Sequence, residues 1–262
     1  TNLRYLRQAV RDPVFATGPP ATRWLDDFRF EARCMSVERA GTQTTLQDWP
    51  GRTGFWDVGV PPSGPMDPFA FRLANRLVGN EESAAALEIT HRGPALRFGS
   101  AAVIALTGAP VDATLDGTPV PMWETVTVEP GALLDIGPAE RGGFRCYLAV
   151  RSGIDVPEYL GSRSTFTLGQ FGGHGGRALQ PGDVLYFGNE PPNPAPQLRL
   201  PDESRPQFRN EWQIGVLYGP HGAPDFFTDG DIETIFATDW EVHFNSARTG
   251  VRLIGPHPEW AR

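Results

Sequence analysis

Between residues 101 and 188 the chain is cut into strand-length apolar runs by glycine, proline and aspartate turns, and this spacing limits the fold more than any other feature. AAVIALTG (101–108) reads as a buried strand, and DATLDGTPVPM (112–122) carries an Asp116-Gly117 hairpin signal. ETVTVEPGALLDIG (124–137) alternates about Pro130-Gly131, FRCYLAV (144–150) alternates again, and ALQPGDVLYFG (178–188) repeats a strand–PGD–strand pattern. Several short strands at such close spacing predict a mainly β barrel or sandwich. One helix interrupts them. In DPFAFRLANRLVGN (67–80), Asp67 suits the N-cap, Pro68 the first helical position and Gly79 the stop. Phe69, Leu73 and Leu77, beside Phe71, Ala74 and Val78, give it an apolar face that would plug or flank the strands.

Two flanking blocks differ. Residues 1 to about 30 carry a short helical pattern (Leu3, Leu6, Val10) stopped by Asp12-Pro13. A Gly18-Pro19-Pro20 turn and a second patterned stretch (Trp24, Leu25, Phe28) follow. So small a piece cannot hold a core alone and reads as the end of another element. After a proline-rich linker or excursion (189–207), EWQIGVLYG (211–219) looks strand-like. A short helix is expected near DIETIFA (231–237), then strand-like WEVHFN and GVRLIG. These last pieces would leave a sheet edge open, so further sequence is expected beyond PEWAR.

All 23 basic residues are arginine. Without lysine the chain cannot complete a P-loop, form a Schiff base or carry biotin or lipoate. A net charge of −8 argues against a nucleic-acid partner. No run approaches the length of a membrane span, and TNLRYLRQAV lacks the apolar core of a signal peptide, which points to the cytoplasm. Cys34 and Cys146 are expected as two buried free thiols. The five histidines form no i,i+4 pair and no His/Cys group, so no metal site is expected. No nucleophile elbow is present, and PSGPMD gives Ser63 the wrong context for a serine triad.

The densest candidate chemistry lies in GTQTTLQDWPGRTGFWDVGVPPSGPMD (41–67), a polar stretch and loop running into the helix N-terminus. Gln47, Asp48 and Arg52 either bind a small planar polar ligand together or form a structural Asp–Arg pair that pins the turn. Asp67 either caps its helix or acts on a substrate. Glu88 stands alone among apolar neighbours, suited to proton transfer if burial raises its pKa, or to a structural hydrogen bond. In GSRSTFTLGQFGGHGGRALQPGD (161–183), Arg163, Ser164 and Thr165 suit an anion, the glycines permit close backbone approach, and His174 is either a proton shuttle or merely exposed.

The run GTQTTLQDWPGRTGFWDVGVPPSGPMDPFAFRLANRLVGN, followed by ALEITHRGPALRF, resembles the KipA-like, allophanate-hydrolase-subunit-2 family. LTGAPV, YLAVRSGIDVPEYLGSRST, GRALQPGD and NSARTGVRLIGP extend the resemblance over roughly residues 35 to 256. It implies a cyclophilin-like β-barrel spanning 32–262, with the helix at 67–80 on its flank and a short helical tail ahead of it. The head, TNLRYLRQAVRDPVFATGPPATRWLDDF, resembles the tail of a biotin carboxylase domain, so residues 1–30 would end such a domain. That order implies a fragment of urea carboxylase or urea amidolyase, moving a carboxyl group from carboxybiotin to urea to give urea-1-carboxylate. A guanidine carboxylase, a 5-oxoprolinase subunit and a KipA-type regulatory module are the alternatives. The resemblance further implies biotin attached elsewhere in the parent, ATP and Mg at an upstream biotin carboxylase, and KipI-like and biotin carrier domains as partners. Asp48, Asp67 and Glu88 would then be catalytic, and Gln47, Arg52, Ser63, Arg163, Ser164 and Thr165 would bind substrate or carboxybiotin.

Overall fold

A computed structural model describes residues 3–18, 23–30, 32–189, 193–244, 246, 248 and 250–261. Pro19 and Pro20 of the predicted turn, residues 190–192 of the linker, Asn245 of the late strand and the side chain of Leu3 lie outside the described residues. The chain divides into two compact units, Thr1–Asn210 and Glu211–Arg262.

The first unit opens with α1 (Leu3–Arg11), α2 (Pro13–Thr17) and α3 (Trp24–Asp27). Asp12 breaks the first helix and caps the second, its carboxylate accepting from Val14 N at 2.9 Å, while Pro13 takes the first helical position. These short helices gather an aromatic cluster in which Trp24 and Tyr5 both meet Phe28.

The strands follow: β1 (Cys34–Arg39), β2 (Gln43–Gln47), then α4 (Pro68–Leu77), β3 (Ala86–Thr90), β4 (Ala95–Phe98), β5 (Ala102–Gly108), β6 (Ala113–Leu115) and β7 (Thr118–Pro119). β8 (Thr125–Val128), β9 (Leu133–Ile136), β10 (Arg145–Val150) and β11 (Val184–Tyr186) complete the unit. They form two antiparallel sheets, ordered β11-β1-β4-β9-β6-β7 and β2-β3-β10-β5-β8. The expected mainly β architecture with one flanking helix is borne out.

Inward side chains of both sheets share one core, including Met35, Val37, Leu96 and Leu134 from the first and Leu46, Leu87, Leu106 and Leu148 from the second. The opposite face of the second sheet is also covered, because Phe71, Ala74 and Leu77 of α4 pack on Ala86, Ala105, Tyr147 and Ala149. Burial on both faces explains why AVIALTG and CYLAV read as nearly continuous apolar runs. The alanines beneath α4 let the helix sit close to the sheet. Asp67 is the N-cap, accepting from Ala70 N at 3.1 Å.

The second unit holds α5 (Asp229–Ala237), with a Thr228–Asp231 capping box, and a short antiparallel pair, β12 (Glu241–Val242) and β13 (Leu253–Ile254). The strand predicted at 211–219 is not formed. Those residues form no ladder, and Trp212, Ile214, Val216, Leu217 and Tyr218 are exposed. Alternation gives a strand its faces but supplies no partner for its N–H and C=O groups. The PGD turn at 181–183 is likewise followed but not preceded by a strand.

Candidate functional site

Register brings four polar side chains into one row across the helix-covered face of the second sheet. Thr45 of β2 lies opposite Glu88 of β3, Glu88 opposite Tyr147 of β10, and Tyr147 opposite Thr107 of β5. All four are buried. Glu88 Oε2 accepts from Met66 N at 2.7 Å and from the Tyr147 hydroxyl at 3.1 Å, and Arg145 Nε stands 3.6 Å from Oε1. The same hydroxyl accepts from Asp67 N at 2.7 Å, and Thr107 Oγ1 donates to Ala70 O. Burial, reinforced by the Glu88 charge, drives the Tyr147 phenol well above its ordinary pKa, so it stays a proton-bearing donor. The row therefore grips the entry into α4 at Met66, Asp67 and Ala70.

A second cluster continues from the end of β2. Asp48 is buried, and Oδ1 accepts from Ser162 Oγ and Ser164 Oγ, both at 2.6 Å. Its Oδ2 accepts from Arg163 N at 2.6 Å, and its own N–H donates to Ser164 Oγ. Arg52 is fully buried; Nε donates to Tyr159 O and Nη2 to Ser164 O, both at 2.9 Å, and the guanidinium stands 4.9 Å from the Phe171 ring centroid. Burial lowers the Arg52 pKa, and the Asp48 charge opposes that shift. Gln47 Nε2 donates to Thr45 Oγ1 at 3.0 Å and reaches Thr165 O at 3.5 Å. Thr165 is held on Leu46 O through both its N–H and its hydroxyl.

The predicted pairing of Asp48 with Arg52 is therefore indirect: each fastens the 159–165 segment from its own side. Two glycines make this possible. A Cβ on Gly172 would fall 2.1 Å from Ser164 O, and one on Gly51 would fall 2.5 Å from Pro62 O. Gln47, Asp48, Arg52, Ser164 and Thr165 are thus brought together. Arg163 joins them through its backbone, whereas its guanidinium leaves for Glu158 at 2.8 Å. Asp67 and Glu88 belong to the polar row instead. Ser63 is half-buried, with a left-handed φ of 56°.

His174 takes part in neither cluster; its Nε2 lies 3.3 Å from Asp183 Oδ1. Asp183 also binds Arg177 through both carboxylate oxygens, at 2.7 and 2.8 Å. That hydrogen-bonded pair, with the Gln180 N–H and His174 adding to it, lowers the Asp183 pKa to about 2 from 3.8. A depressed carboxylate contributes stability above its unfolded value and loses it as pH falls through the folded one. The stability difference between wild type and Asp183→Asn is accordingly expected to close as pH falls from about 4 to about 2, as followed by denaturant unfolding.

Sequence reasoning missed Tyr147, Arg145 and Ser162. Tyr147 carried a usable signal, being the polar tip in the middle of a strand otherwise buried on both faces. Cys146 is buried and Cys34 partly so, and neither is in a disulfide. Among the described residues no group of three or more His, Cys, Asp and Glu gathers as a metal site, and no helix is long and apolar enough to cross a membrane.

The profile described as carboxyltransferase domain, subdomain A and B, matches residues 58–262. The chain belongs to this carboxyltransferase-domain family. Urea amidolyase of Saccharomyces cerevisiae is 47% identical over 267 residues, covering 100% of this carboxyltransferase domain chain but 14% of the yeast protein. The crystal structure of Kluyveromyces lactis urea carboxylase aligns with a TM-score of 0.87 at 47% identity, covering 100% of this chain and 24% of that one. A 5-oxoprolinase subunit from Escherichia coli is 35% identical over 223 residues, which is 84% of this chain and 68% of that protein. The carboxyltransferase chain thus spans less than a quarter of the yeast proteins it matches along its full length.

Proposed function

We propose that the chain forms part of the carboxyltransferase station of a biotin-dependent urea carboxylase. The observation that carries this reading is identity of 47% to urea amidolyase over the whole chain, head included, whereas similarity to the bacterial 5-oxoprolinase subunit extends over 84% of it. On this reading residues 1–30 end a biotin carboxylase domain, and residues 32–262 are a KipA-like half. A KipI-like half, a biotin carrier and the ATP- and Mg-using biotin carboxylase sit elsewhere in the same cytoplasmic parent.

Biotin, when bound, supplies the carboxyl group that is transferred. Biotin and urea both carry a carbonyl flanked by N–H groups, and the residues present suit such a group. Arg52 Nη1 is a buried donor, and Gln47 Oε1 a buried acceptor, each without a hydrogen-bond partner among the described residues. Urea N–H is a very weak acid, so a protein carboxylate alone does not ionise it. The chain's residues instead orient the substrate and keep water from it. Asp48 fixes the 162–165 segment against Gln47 and Arg52, and Glu88 with Tyr147 fixes the entry to α4. In this reading Asp48, Asp67 and Glu88 set the geometry of the station. Gln47, Arg52, Ser63, Arg163, Ser164 and Thr165 border the bound groups.

The test is ATP turnover by the full-length parent, supplied separately with urea, guanidine and 5-oxoproline. Urea is expected to stimulate turnover most. No stimulation by any of the three would remove the carboxylase reading, and a large advantage for guanidine would change its substrate.

A further inference from the structure

Gln47 and Arg52 are both completely buried, and each has one polar atom that nothing described satisfies. Their satisfied atoms bind consecutive carbonyls, Arg52 Nη2 on Ser164 O and Gln47 Nε2 on Thr165 O. The two side chains are therefore anchored to adjacent residues of one segment. What each leaves over is opposite in character: Arg52 Nη1 offers an N–H, and Gln47 Oε1 offers an acceptor. A buried guanidinium N–H and a buried amide oxygen are costly to leave unpaired, and native interiors seldom do so without a ligand or an ordered water.

We infer that Gln47 and Arg52 form a recognition pair for a neutral ureido group, with its carbonyl on Arg52 Nη1 and its N–H on Gln47 Oε1. The inference rests on the functional reading above and deepens it by naming what selects the substrate. Guanidinium is excluded by the same chemistry. It has donors only, so it would leave Arg52 Nη1 facing another N–H, and its positive charge would sit beside a buried cation whose pKa burial already lowers. Asp48 offers such a cation no direct hydrogen bond, because its carboxylate already accepts from Ser162, Arg163 and Ser164. The group recognised belongs either to urea itself or to the biotin ring, which share this donor–acceptor edge. Access requires the cover over Arg52, the Phe171 ring and the Gly172 backbone, to move aside.

The experiment uses the full-length parent protein and two variants, Gln47→Leu, which deletes the acceptor, and Gln47→Glu, which makes it anionic. Thermal unfolding of each selects variants that remain folded. If urea is the group read, Gln47→Leu raises the KM for urea about tenfold, the scale of one lost hydrogen bond to substrate, and leaves the KM for free biocytin in place. If the biotin ring is the group read, the KM for biocytin rises instead. Gln47→Glu is expected to shift the ratio of guanidine to urea kcat/KM about tenfold toward guanidine, since a carboxylate accepts from a cation and offsets Arg52. If urea stimulates the wild type but folded variants keep both KM values and the guanidine ratio within about twofold, the recognition pair is overturned while the carboxylase reading stands. If urea does not stimulate the wild type, the carboxylase reading falls first and takes this inference with it.

Discussion

Replacing Asp48 with alanine is expected to destabilise the chain by about 3–5 kcal/mol, among the largest single effects available to it. One carboxylate receives the Ser162 and Ser164 hydroxyls and the Arg163 N–H, and its removal strands all three inside the protein. The loss also takes away the negative charge that opposes the burial of Arg52. Asp48→Asn should cost a comparable amount, because its amide N–H₂ would confront donors where acceptors are needed. Denaturant unfolding of wild type and both variants measures this. The exposed Asp112, paired with Arg141 on the surface, serves as control, and Asp112→Ala should shift stability by no more than about 0.5 kcal/mol. An Asp48→Ala protein as stable as that control would show that the 159–165 segment is held by something else.

Tyr147→Phe is expected to cost about 2–3 kcal/mol, although it removes a single oxygen. That oxygen donates to Glu88 and accepts from Asp67 N, so its loss unsatisfies groups at both ends. The ring itself remains packed edge-on to Phe71, and the core contact survives. The variant therefore separates hydrogen bonding from packing. Amide exchange should accelerate at Met66 and Asp67, the two N–H groups that the Glu88–Tyr147 pair holds, with less change in β5 and β10. Uniform acceleration across the sheet would mean that Tyr147 acts through packing alone.

These two residues mark where the sequence could be read and where it could not. The strands of β5, β6 and β10 were legible because apolar runs of strand length end at glycine or proline turns. The helix α4 was legible because its cap, its proline and its apolar face all agree. The sheet each strand joins was hidden. Residues 124–137 alternate about Pro130-Gly131 like a hairpin, yet β8 pairs with β5 in one sheet and β9 with β4 and β6 in the other. Alternation encodes faces, while pairing depends on contacts far along the chain. The Asp48 clamp shows the same limit, since its donors lie 114 to 116 residues away. The sequence marked Asp48, Ser164 and Thr165 separately as candidates, but only the fold brings them together. Residues 211–219 show the converse, an alternating pattern without a ladder among the described residues.

If the chain serves the proposed transfer of a carboxyl group to urea, the carbon itself can be followed. The full-length parent is incubated with ATP, Mg, urea and ¹³C-labelled bicarbonate, and the products are observed by ¹³C NMR. Label is expected in urea-1-carboxylate, dependent on both ATP and urea, and lost in Asp48→Ala. Label appearing only with guanidine or 5-oxoproline, or ATP hydrolysis with no labelled product from urea, would contradict it.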